Sequence, residues 1–223
     1  MNIAVMPLRG GSKSIPGKNI KSLAGKPLCA WSLEAAFASG IFDRLIVSTD
    51  SKEIANVVRS LGIPLDVIMR PTEFATDTAT TESVMMHAAS QLTFDVMATI
   101  QATSPLTRAE DFVAAYEIFK REAADSLLTC VRTKRFFWSN EGVPMNYDPL
   151  KRPMRQQFQG TLMENGAFYF TKRQILEKYK CRLGGKISIY EFPEDMAIEI
   201  DEPADWEHVE RIITGRVRAA RID

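Results

Sequence analysis

The run Arg9-Gly10-Gly11-Ser12-Lys13-Ser14-Ile15-Pro16-Gly17-Lys18-Asn19 constrains this chain more than any other stretch. It follows an apolar segment, Ile3–Pro7, that reads as the first strand of an α/β domain. Glycine lets a backbone curl until successive N–H groups face one anion, and Arg9, Lys13 and Lys18 supply the countercharge. From Met1 to Leu33 there are five cations (Arg9, Lys13, Lys18, Lys21 and Lys26) and no Asp or Glu. A basic glycine loop at the C-terminal edge of a strand describes a polyphosphate cradle, with a plain solvated turn as the alternative. The loop is neither a Walker A sequence nor a dinucleotide fingerprint, because Gly-Lys-Ser/Thr after four spacers and G-x-G-x-x-G are both absent.

Beyond this loop, apolar runs and amphipathic segments alternate, the pattern of a mostly parallel sheet flanked by helices. Strands are expected at Leu45–Ser48, Leu65–Met69, Val96–Gln101, Ser126–Val131, Phe168–Phe170 and Ile187–Phe192. Helices are expected at Ala30–Ser39, Ser51–Leu61, Thr81–Leu92, Ala109–Ala123, Arg173–Tyr179 and from Pro203 onward, with Gly215–Asp223 as a fraying end. Between Thr133 and Leu162 the rhythm breaks. Prolines and glycines there mix with Phe136, Phe137, Trp138 and Phe158, too aromatic a set for a disordered linker, so an ordered insertion is expected within a single domain spanning 1–223.

Charge and cysteine usage exclude several classes. Lys+Arg and Asp+Glu both total 28, which favours neither a nucleic acid nor an anionic membrane as partner. Residues 191–210 hold nine acids and no Lys or Arg, which balances the acid-free N-terminus. No apolar run approaches spanning length, and Arg9 interrupts the N-terminus too early for a secretory signal. Cys29, Cys130 and Cys181 lack metal-ligand spacing and read as reduced thiols of a cytoplasmic protein. His87 and His208 have no His-x-x-His partner, which argues against zinc.

The pattern Arg-x-x-Ser-Lys-x-Ile-Pro-x-Lys-Asn, followed by Leu23-Ala-Gly-Lys-Pro-Leu28, resembles the cytidylyltransferases that activate sialic-acid-type sugars. These are the CMP-N-acetylneuraminate synthetases and relatives acting on other nonulosonic acids. The resemblance continues through Ser48-Thr49-Asp50, Arg70-Pro71, Ala75-Thr76-Asp77-Thr78, Gln101-Ala102-Thr103-Ser104-Pro105 and Ile198-Glu199-Ile200-Asp201, and so covers nearly the whole chain. It implies a Rossmann-like, glycosyltransferase-A-like sheet and transfer of CMP from CTP to the anomeric hydroxyl of a nonulosonic acid, with pyrophosphate released.

The same resemblance assigns roles. Arg9, Lys13 and Lys18 would hold the triphosphate, Ser12 would contact substrate, and Asn19, Arg70 and the Ala75–Thr78 segment, Asp77 included, fall at cytidine-binding positions. Gln101, Thr103 and Ser104 would meet the acidic sugar, with Arg155, Gln156 and Asn165 as further sugar or phosphate contacts. Asp201 and Glu199 would hold Mg²⁺, with Mn²⁺ as a substitute. Residues two apart at a strand end face one side, so both carboxylates could reach one hard cation. Glu199 stands where Asp is frequent in the family, which makes Asp201 the firmer ligand. The 133–162 insertion matches a dimerisation arm, so a homodimer is expected. Kdo-type relatives carry an acidic residue in the loop after Gln101; none occurs between Gln101 and Arg108, which favours the sialic-type branch. The alternatives are a Kdo-type, UTP- or GTP-using transferase and a non-catalytic sugar-nucleotide-binding protein. A sensor need not keep both the cation set and the acidic pair.

Overall fold

Short apolar runs alternate with amphipathic ones along the chain and fold into alternating strands and helices. The computed structural model describes residues 1–219. In chain order it contains β1 (Asn2–Leu8), β2 (Ser22–Leu23), β3 (Lys26–Pro27), α1 (Leu28–Ala38), β4 (Arg44–Thr49), α2 (Lys52–Arg59) and β5 (Asp66–Met69). Then follow α3 (Thr81–Ala89), β6 (Val96–Ile100), α4 (Ala109–Arg121), β7 (Ser126–Thr133), β8 (Thr161–Lys172), α5 (Arg173–Tyr179), β9 (Ile187–Phe192) and α6 (Pro203–Ala219). Gly215–Ala219 continue α6, and the rest of the expected fraying end lies outside the described residues.

Seven strands make one sheet in the order β5-β4-β1-β6-β8-β7-β9. β1, β4, β5 and β6 run parallel, as do β7 and β9, while β8 lies antiparallel to both β6 and β7. The alternation of β1 shows how the two faces are filled. Ala4, Met6 and Leu8 join a core with Leu33, Phe112 and Val209, whereas Ile3 and Val5 pack with Met85, Ala88 and Leu176. Helix starts follow from local chemistry: Ser51 Oγ accepts from the Ile54 amide at 3.3 Å, and Thr80 Oγ1 accepts from the Ser83 amide at 3.2 Å.

Two features depart from the sequence reading. β8 is a twelve-residue strand rather than a three-residue one, and it is irregular in the middle. Cys130 sits opposite Glu164 and Leu128 opposite Tyr169, so Thr129 alone spans the stretch 165–168 of the partner strand. Second, Glu199 and Asp201 do not lie at a strand end. After a 3₁₀ turn at Glu194–Ala197 the chain runs extended outside the sheet, pinned where the Ile200 amide donates to the Thr103 carbonyl at 2.8 Å. A buried backbone donor must find a partner, and here a loop supplies it rather than a neighbouring strand.

The 134–160 segment leaves the sheet between β7 and β8 and carries its own small aromatic cluster. Phe136 stacks on Tyr147 and packs at a tilt against Phe158, with the Arg152 guanidinium 4.6 Å from its ring centre. Asn146 ties the segment back by donating to the Arg135 carbonyl and to Thr161 Oγ1. Cys29 and Cys130 are buried; burial pushes the Cys29 thiol up to about 12, which makes it inert at neutral pH.

Candidate active site

A cavity of about 480 Å³ opens beyond the C-terminal ends of β1 and β6. Open parallel sheets place ligands at this edge because the loops leaving the strands diverge there. Arg9, Ser12, Lys13, Lys18 and Asn19 line it from the glycine loop, and Gln101 and Thr103 line it from the end of β6. Arg70, Ala75, Asp77 and Asp201 complete the expected residues present in its wall. Eleven residues drawn from four separate stretches of sequence therefore converge on one space.

The loop is built as a closed turn. Gly17 takes φ +63°, a left-handed conformation that a side chain would strain, and starts a 3₁₀ turn at Lys18–Ile20. Asn19 Nδ2 donates to the Arg9 carbonyl at 2.9 Å and ties the two ends together. The loop amides are not all free for an anion, because the Gly10 N–H already donates to Asp50 Oδ1 at 3.0 Å. Lys18 is mostly buried and reaches away from the loop, donating to the Ile200 carbonyl at 2.9 Å and to Asp201 Oδ1 at 3.2 Å. It thereby fastens the 198–201 segment to the loop.

Arg70 is the most telling cation. Its residue is only 6 % exposed, and among the described residues its Nε has no partner and its one ion contact is Asp50 Oδ1 at 3.8 Å. Burial pushes the guanidinium below its ordinary range; Asp50 opposes that shift and the Arg9 charge adds to it. A buried cation left short of partners is costly, and its retention in a cavity wall marks a place for an anion or acceptor.

Residues 3–221 match the cytidylyltransferase family. The chain belongs to that family. It is 37 % identical over 211 residues to N-acylneuraminate cytidylyltransferase A of Danio rerio, covering 91 % of this chain and 48 % of that protein. It is 30 % identical over 216 residues to pseudaminic acid cytidylyltransferase of Campylobacter jejuni, covering 92 % and 93 % respectively. The chain thus spans about half the length of the vertebrate relatives it matches. In fold it resembles a solved CMP:2-keto-3-deoxy-manno-octonic acid synthetase complexed with CTP, with a TM-score of 0.74 at 18 % identity over 96 % of this chain and 99 % of that one.

Not every expected cytidylyltransferase residue reaches the cavity. Ser104 is buried beneath the loop, its carbonyl accepting from Ser32 Oγ and Thr107 Oγ1 while its own hydroxyl lacks a partner. Nor does it cap α4, where the Arg108 amide bonds to Asp111 Oδ2 instead. Asn165 lies buried in the irregular stretch of β8, donating to the Met196 carbonyl at 3.2 Å with Oδ1 unpartnered. Arg155 and Gln156 stand exposed on the 134–160 segment. Conversely, Phe74, Thr76 and Ala79 line the cavity together with Thr80 and Thr81 at the start of α3. Thr76 belongs to the Ala75–Thr78 segment that the resemblance pointed to, whereas Phe74 and 79–81 were missed, with only the hydroxyls of Thr80 and Thr81 as a hint.

Glu199 does not line the cavity. Its carboxylate packs against Gly166, where a Cβ would lie 2.9 Å from Oε1, so the glycine at φ +64° makes room for it. Burial first, then the charges of Asp201 and Glu164, push its carboxyl up to about 6, against the pull of Lys18. No group of three or more His, Cys, Asp or Glu is placed to hold a metal among the described residues. Asp201, in the cavity wall, could offer a carboxylate oxygen to a hard cation that takes its remaining ligands from phosphate oxygens and water, as Mg²⁺ does, with Glu199 behind it.

A carboxyl whose folded-state pKa exceeds its unfolded value weakens the fold once pH rises past the unfolded value, and the whole loss is present above the folded one. Without metal, Glu199→Gln should therefore melt higher than the parent at about pH 8, and the gain should vanish below about pH 4.5. Thermal melts across that range check it, and a pH-independent gain would exclude the charge as its cause.

Proposed function

We infer that this chain transfers CMP from CTP to the anomeric hydroxyl of a nonulosonic acid, releasing pyrophosphate. The observation that carries the reading is the under-partnered Arg70 guanidinium in a wall shared with Arg9, Lys13 and Lys18. Kinship with N-acylneuraminate and pseudaminic acid cytidylyltransferases supports cytidine and a sialic-type acid over other pairs. The sugar oxygen attacks the α-phosphorus in line, a P–O bond forms, and the bond to the β-phosphate oxygen breaks as pyrophosphate departs. Charge and position dominate such a step.

Arg9, Lys13 and Arg70 hold the triphosphate and take up charge on the leaving group, while Ser12, Asn19, Ala75 and the start of α3 enclose the nucleoside. Gln101 and Thr103 present a side-chain amide and a hydroxyl to the acidic sugar, and the Gln101 backbone N–H, which donates to the Ala167 carbonyl at 3.0 Å, keeps that loop against β8. Mg²⁺, or Mn²⁺, would be held by Asp201 with Glu199 behind it, and would supply charge neutralisation and a lowered pKa for a bound hydroxyl. Lys18 holds Asp201 in place for that task. Three unpaired thiols support a reducing, cytoplasmic setting.

Pyrophosphate release should be measured with CTP, UTP and GTP against N-acetylneuraminate, legionaminate, pseudaminate and Kdo. Turnover with CTP and one of the first three acids is expected. Turnover only with another nucleotide or only with Kdo, or none with any pair, would overturn the reading.

The 134–160 segment supports a homodimer. Met145, Met154 and Leu150, the last 93 % exposed, stand in water beside Trp138 and the arginines 135, 152 and 155. Aromatic, methionine and arginine side chains together are the makings of an interface core. Sedimentation at micromolar concentration should give a dimer, and replacing 134–159 by a short Gly/Ser link should give a folded monomer that binds CTP but turns over poorly. A wild-type monomer would reject the assembly.

A further inference from the structure

Two of the four cavity cations are engaged by a single carboxylate. Asp77 Oδ1 accepts from Arg9 at 2.9 Å, and Asp77 Oδ2 meets Lys13 Nζ at 2.7 Å. Both cations stand on the glycine loop, and Asp77 stands on the facing 72–80 segment. Among the described residues no other hydrogen bond or ion pair joins these two walls. The carboxylate therefore spans the mouth, one oxygen on each cation, in the way two phosphate oxygens would. Its side chain is 54 % exposed, with Arg9 at 39 % and Lys13 at 76 %. Contacts so open to water are individually weak, so they hold the walls without locking them.

We propose that Asp77 is a built-in competitor for the phosphate-binding cations of this cavity. This rests on the triphosphate reading of the cavity given above. With no ligand bound, Asp77 relieves the repulsion between Arg9 and Lys13 and draws the 72–80 segment onto the loop. A triphosphate displaces it, because several charges that also reach Arg70 outbid one carboxylate on two exposed cations. A small anion of lower charge has less to offer and is turned away. After transfer, Asp77 recovers its two partners as pyrophosphate leaves, which favours product release over a trapped complex.

Calorimetric titration of CTP and of pyrophosphate, without sugar, into the full chain and into Asp77→Asn and Asp77→Ala tests this. Removing the competing charge should tighten both ligands about three- to tenfold, the weight of two exposed ion pairs. Both substitutions lie on an exposed side chain, and thermal melts of each establish folding independently of the titration. Unchanged or weaker binding in the variants would overturn the proposal and make Asp77 a residue that positions Arg9 and Lys13. Failure of the parent itself to bind either ligand would instead overturn the reading of the cavity.

Discussion

Arg70→Met is expected to give a protein that melts at least as high as the parent and binds CTP about a hundredfold more weakly, the loss of roughly two charged hydrogen bonds. The stability half follows from the site's own geometry. The guanidinium is buried, its Nε is unpartnered, and Asp50 lies 3.8 Å away, so desolvation is poorly repaid. An apolar side chain of similar length avoids that desolvation cost, and Asp50, partly exposed and 3.8 Å from the guanidinium, gives up only a long, weak contact. Asp50 keeps the Gly10 amide as a partner in the variant. A stable protein without nucleotide affinity would place Arg70's worth in binding, whereas a large fall in melting temperature with affinity retained would make it structural. Calorimetry with CTP and a thermal melt settle the two halves separately.

Asp201→Asn should lower kcat about 10²–10³-fold at saturating Mg²⁺, the usual cost of removing one group that organises transition-state charge. The shape of the side chain is kept and its ion pair with Lys18 is largely exposed on the Asp201 side, so melting should hardly move. Lys18 retains the Ile200 carbonyl in the variant, which keeps the 198–201 segment in place. Chelator should abolish activity of the parent, and Mg²⁺ or Mn²⁺ should restore it. Full turnover by Asp201→Asn, or turnover that ignores chelator, would remove the metal from the mechanism.

Glu199 shows how the two carboxylates divide. A period-two argument puts both on one side of a strand, yet the segment lies outside the sheet, and only Asp201 lines the cavity while Glu199 fits against Gly166. The bond that holds the segment, Ile200 to Thr103, joins residues far apart in sequence, and no local pattern encodes it. The length and direction of β8 were equally hidden. Its hydrophobic residues are legible, but antiparallel insertion between β6 and β7 depends on which edges remain to be paired.

What the sequence alone determined was whatever is settled within a few residues. The bounds Arg173–Tyr179 and Ile187–Phe192 were readable to the residue, and Ser51 stands as the cap before α2. The glycine loop's turn and its cations were legible because backbone freedom and charge are properties of the residues themselves. The tertiary structure alone decided which charges meet. Asp77 pairs with a loop 68 and 64 residues away, Lys18 with Asp201 across 183, and Arg70 is left nearly bare by its burial. Desolvation and ion pairing depend on distance in space, which the order of residues does not contain until the sheet brings its strand ends together.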